Sequence, residues 1–61
     1  MPLVHIDLIE GRSEAQLKQL VADVTTAITK NTGAPAEHVH IVLNEVAANR
    51  LADAGKLRSD S

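Results

Sequence analysis

The chain has no cysteine, no phenylalanine, no tyrosine and no tryptophan among its 61 residues. Without cysteine it forms no disulfide and offers no thiolate to a metal. Without aromatic residues it lacks the side chains that bury most area per residue. Basic residues are not in excess either: six Lys and Arg stand against eight Asp and Glu, a net charge of −2. A nucleic-acid binder carries a basic stripe, and an anionic membrane attracts polybasic segments; neither partner is expected here. No apolar run approaches the roughly 18 residues of a membrane span. The N-terminus lacks the basic-then-apolar layout of a signal peptide, so the expected location is the cytoplasm.

What is present is aliphatic. Hydrophobic residues make up 44% of the chain, mostly Leu, Val, Ile and Ala. A domain of about 60 residues buries only about 60% of the surface its unfolded chain exposes. With no disulfide and no aromatic core, the remaining apolar surface is expected to be buried against other copies of the chain.

The order of elements follows from periodicity. Residues 2–9, PLVHIDLI, alternate. Pro2, Val4, Ile6 and Leu8 point one way, and Leu3, His5, Asp7 and Ile9 the other, as in a strand with one apolar and one mixed face. Pro2 is allowed at the start of a strand. It also follows the initiator methionine, and removal of Met1 leaves its nitrogen as a free secondary amine. Ser13 and Gln16 then fit a capping box. Leu17, Leu20, Val21, Val24, Ala27 and Ile28 follow at steps of three and four, which predicts an amphipathic helix of about five turns. Lys18, Gln19, Asp23, Thr25, Thr26 and Lys30 take its other face. Gly33 and Pro35 supply its stop. Residues 39–46, VHIVLNEV, form a second β-branched run, apolar on both faces for most of its length, as in a parallel pair. Residues 53–56, Asp-Ala-Gly-Lys, suit a short hairpin. Residues 58–61 are expected to fray. The whole of 1–61 reads as one α+β domain: a β-α-β protomer with a short C-terminal hairpin.

Few residues bear chemistry. A free proline amine with a depressed pKa is a general base. Arg12 precedes the helix N-terminus, where a cation is mildly unfavourable. That placement suits an anion clamp aided by the helix amides, or a solvated loop residue. His38 and His40 are expected on one face of the second strand. With His5 they make three imidazoles, but spacing places no third ligand, so no metal is expected. Arg50, Lys56 and Arg58 lie in the tail.

Pro2, the Ile9-Glu10-Gly11-Arg12-Ser13 turn, the capped helix, Gly33-Ala34-Pro35 and the second strand together resemble the 4-oxalocrotonate tautomerase family, from Met1 to about Val46. The resemblance implies two protomers pairing into a four-stranded sheet with the helices on one face, and a hexamer built as a trimer of dimers. It implies a keto–enol isomerase of conjugated 2-hydroxy and 2-oxo acids that needs no cofactor, with Pro2 as the catalytic base. It implies that Arg12 grips the carboxylate of a small-molecule substrate from a neighbouring subunit. Two family positions depart. The second arginine is replaced by His40, and the pocket aromatic by Leu51; Arg50 or Arg58 is a candidate for the missing charge. The family's Gly-rich hairpin is reduced to Ala52-Asp53-Ala54-Gly55. These departures put the family's 2-hydroxymuconate substrate in doubt. The alternative is a non-catalytic homo-oligomer on the same scaffold that binds a small acid or a protein.

Overall fold

The computed structural model describes residues 1–60; Ser61 lies outside the described residues. Strand β1 spans Leu3–Ile9, helix α1 Glu14–Thr32, strand β2 His40–Val46, and the short strands β3 and β4 Ala52–Asp53 and Lys56–Leu57. Three 3₁₀ turns, Ala36–His38, Ala48–Arg50 and Arg58–Asp60, connect and follow them. Among the described residues no helix is long and apolar enough to cross a membrane.

β1 and β2 pair in parallel, Leu3 opposite His40 through Ile9 opposite Val46. Main-chain bonds extend the ladder at both ends: His40 N–H donates to the Pro2 carbonyl (3.0 Å) and Glu10 N–H to the Val46 carbonyl (3.0 Å). Proline at the head of β1 therefore breaks nothing, because its acceptor is used and its missing donor is not needed.

The capping box forms as expected: Ser13 Oγ accepts from Gln16 N–H (3.1 Å), and Gln16 Oε1 accepts from Ser13 N–H (2.9 Å). Gly33 closes α1 at φ +78°, a left-handed conformation that costs glycine little. Its N–H donates to the Thr29 carbonyl (3.0 Å). The half-buried stripe of α1 is Leu20, Val21, Val24, Thr25, Ile28 and Thr29, around a buried Leu17. Ala27, expected on the stripe, is exposed, and Thr25, expected outside it, is half-buried. Only Leu17 is buried among the described hydrophobic residues, while Leu3 and Val42 on the sheet are 71% and 46% exposed.

Two further expectations are corrected. His38 is not on the second strand: it ends the 3₁₀ turn that follows Pro35, and β2 begins at His40. Proline's locked φ starts that turn and delays the extended segment. Nor do residues 58–60 fray. They wind into a 3₁₀ turn, with Arg58 N–H donating to the Leu51 carbonyl (2.9 Å) and the Arg58 guanidinium paired with Asp53. The β3–β4 hairpin forms as expected, turning through Ala54 and Gly55, both at positive φ.

Candidate functional site

The site residues fall at two ends of the β1–β2 ladder. At the N-terminal end of β1 stand Pro2 and His40. Pro2 is half-buried and is tied to β2 through the His40 N–H (3.0 Å), while Met1 beyond it is 87% exposed. The His40 side chain is exposed. It shares a face with Leu3, its register partner, because opposed residues of a sheet project to the same side.

At the C-terminal end of β1 stand Arg12 and Leu51. Arg12 Nη1 donates to the Ile9 carbonyl (3.2 Å), which folds the guanidinium back over the strand end. Leu51, half-buried, meets Ile9, Val46, Leu8 and Asp7 around a cavity of about 150 Å³. Pro2 and Ile9 are separated by seven strand steps, roughly 23 Å at about 3.3 Å per residue. One protomer thus does not itself join Pro2 to Arg12.

Arg50 directly precedes Leu51 in the chain. It is exposed in the 3₁₀ turn after β2, where its Nη1 donates to the carbonyl of its own neighbour Asn49 (2.9 Å). A larger groove of about 280 Å³ lies between α1 and β2, lined by Glu14, Leu17, Lys18, Val21, Leu43 and Glu45. It touches none of the sequence-predicted site residues.

Sequence reasoning overlooked Asp7. Asn44 Nδ2 donates to Asp7 Oδ1 (2.9 Å) across the ladder, and His5 Nε2 donates to the same oxygen (3.0 Å). The Asn44 bond, then the His5 bond, hold the Asp7 carboxyl below the usual carboxylate value. The alternation already put His5 and Asp7 on one face. The Asn44 partner is 37 positions away and becomes visible only once the register is known.

Comparison with known proteins decides the family. The model of the "Tautomerase enzyme" family matches residues 2–60. The chain belongs to that family. It is 63% identical over 60 residues to a protein of Lactiplantibacillus plantarum named "Probable tautomerase", covering 98% of this chain and 94% of that one. Among solved structures it resembles YwhB, a homologue of 4-oxalocrotonate tautomerase, at 37% identity and TM-score 0.94, covering 98% of both chains. It also resembles a heterohexameric 4-oxalocrotonate tautomerase of Chloroflexus aurantiacus at 25% identity and TM-score 0.92, covering 98% of this chain and 97% of the other. Family membership therefore supports tautomerase-type isomerase activity, and the β-α-β architecture is that of its structural neighbours.

Proposed function

We propose that the protein is a cofactor-independent keto–enol tautomerase of 2-hydroxydienoate and 2-oxo acid substrates, with the amine of Pro2, freed by loss of Met1, as general base. The observation that carries this reading is the contrast at the chain's start. Met1 is 87% exposed, while Pro2 is half-buried and anchored by a main-chain hydrogen bond to β2. Cleavage of an accessible residue leaves an ordered secondary amine, not a mobile terminus.

The chemistry needs one proton carrier. The Pro2 nitrogen takes the proton of the substrate's enol oxygen. The electron pair left behind forms the carbonyl, the conjugated double bonds shift, and the prolinium returns the proton to a carbon of the substrate. Atoms and charge balance without a redox partner or metal. Arg12 holds the substrate carboxylate, and His40 donates a hydrogen bond toward the developing oxyanion. His40 lacks arginine's permanent charge and bidentate fork, so stabilisation there is weaker than in relatives with arginine.

Because Pro2 and Arg12 sit at opposite ends of β1, the complete site joins the Pro2 end of one copy to the Arg12 and Leu51 end of another. The cavity beside Leu51, about 150 Å³, is smaller than the roughly 300–1,000 Å³ of a whole ligand pocket, as fits half a site. We therefore read the assembly as protomers paired into four-stranded sheets, three such dimers making a hexamer. A second reading, a non-catalytic oligomer that binds a small acid, draws on His40 and Leu51 standing where the family has arginine and an aromatic.

Turnover and intact mass together separate the readings. Protein shown by mass to lack Met1 is expected to convert 2-hydroxydienoates or phenylenolpyruvate to their keto forms, followed in the ultraviolet. Processed, folded protein that converts none of them contradicts the enzyme reading.

A further inference from the structure

We propose that the cleft at the C-terminal end of β1 selects monocarboxylates with a compact apolar body and rejects dicarboxylates, and that Asp7 is the residue that sets this specificity. The inference rests on the reading of the site given above and deepens it. Three observations converge. The cleft wall is aliphatic, made by Ile9, Val46 and Leu51. Arg12 lies at the same strand end, its Nη1 on the Ile9 carbonyl at 3.2 Å, so one carboxylate has a cation within reach. The one charged side chain that lines the cleft is an anion, Asp7.

Asp7 is not free to swing away. Asn44 and His5 both donate to its Oδ1, at 2.9 and 3.0 Å, which fixes the carboxylate beside the cleft. A substrate anchored by one carboxylate on Arg12 lays its other end against Leu51, Ile9 and Val46. If that end is a hydrocarbon, it leaves water for an aliphatic wall and gains. If it is a second carboxylate, it sheds hydration without meeting a donor and also faces the Asp7 charge. At the position where the family carries its second arginine this chain has His40, which brings no permanent charge to offset this. The same side chain excludes one substrate class without making a contact to the other, which is specificity by repulsion.

Binding and turnover test this separately. Met1-free protein is titrated with cinnamate and with cis,cis-muconate by ligand-observed NMR and by calorimetry. Cinnamate is expected to bind about ten-fold more tightly, a difference of about 1.4 kcal/mol. Asp7→Asn is expected to narrow that ratio by about five-fold, the scale of a partly screened like-charge contact. Leu51→Arg, which puts a cation into the cleft that Asp7 lines, is expected to reverse the preference. Circular dichroism and sedimentation check that each variant is folded and assembled. Equal or tighter muconate binding by the wild-type protein, absence of binding by either acid, or a ratio that neither folded variant shifts overturns the proposal. The kcat/KM ratio of phenylenolpyruvate to 2-hydroxymuconate should follow the same order. If the binding pattern holds while neither enol is converted, the proline-base reading fails and the specificity stands. If both enols are converted but the binding ratio is flat, the specificity alone fails.

Discussion

Asp7 is ionised against two donors, and that gives the fold an acid limit. Its folded-state pKa is lowered, first by Asn44 and then by His5. A lowered carboxyl pKa contributes stability above the unfolded-state value, near 4, and loses it as the pH falls through the folded value. Thermal melts from about pH 5 to pH 2 should therefore show the wild-type protein losing more stability than Asp7→Asn; parallel curves would count against the network. His40 makes a different demand. If it only donates a hydrogen bond, His40→Gln lowers kcat yet leaves the midpoint of the kcat/KM profile nearly where it was. A midpoint displaced by a full unit would count against Pro2 as the titrating group.

Local signals were enough to define α1 and not enough to define its surroundings. Ser13, Gln16 and Gly33 announce both helix ends in a single stretch of chain, and both caps form. Ser13→Ala should cost about 1 kcal/mol, read as a fall in Tm with the assembly unchanged. The hairpin was equally legible from Asp53-Ala54-Gly55-Lys56, but Ala54 sits at φ +52°, a conformation that asparagine adopts more readily than alanine. Ala54→Asn should raise Tm, by about 0.5–1 kcal/mol of added stability. Other features depended on tertiary context. His38 left the strand because Pro35 opens a turn there. Residues 58–60 are ordered because Arg58 reaches back to Leu51 and Asp53, which no local pattern announces. Pro2, Arg12, His40 and Leu51 were all named from the sequence, yet only the register revealed that they form two separate ends. Asp7 escaped notice because its partner lies on the other strand.

The protomer is elongated, and its shape bears on how it works. A compact chain of this length has a radius of gyration of about 10 Å; this one has 14.6 Å, with extents of 43 × 24 × 14 Å. Among the described hydrophobic residues Leu17 alone is buried, and Leu3, Val42 and Leu57 stay exposed. Such a chain needs copies of itself to finish its core. Sedimentation at micromolar concentration should give a dimer or hexamer mass; a folded monomer would contradict this. In the function proposed above, assembly also brings a Pro2 end to an Arg12 end, so that folding, oligomerisation and catalysis would share one set of contacts. The direct test keeps all of these and changes only the nitrogen. One residue added before Pro2 turns its amine into an amide, which is no base. Met1-free protein should show kcat/KM rising with pH through a value below the usual amine pKa of about 8, because desolvation and nearby positive charge disfavour the ammonium form. The extended protein, with the same circular dichroism and the same sedimentation mass, is predicted to lose most of its turnover of the same enol; turnover at the processed protein's rate would contradict Pro2 as the base.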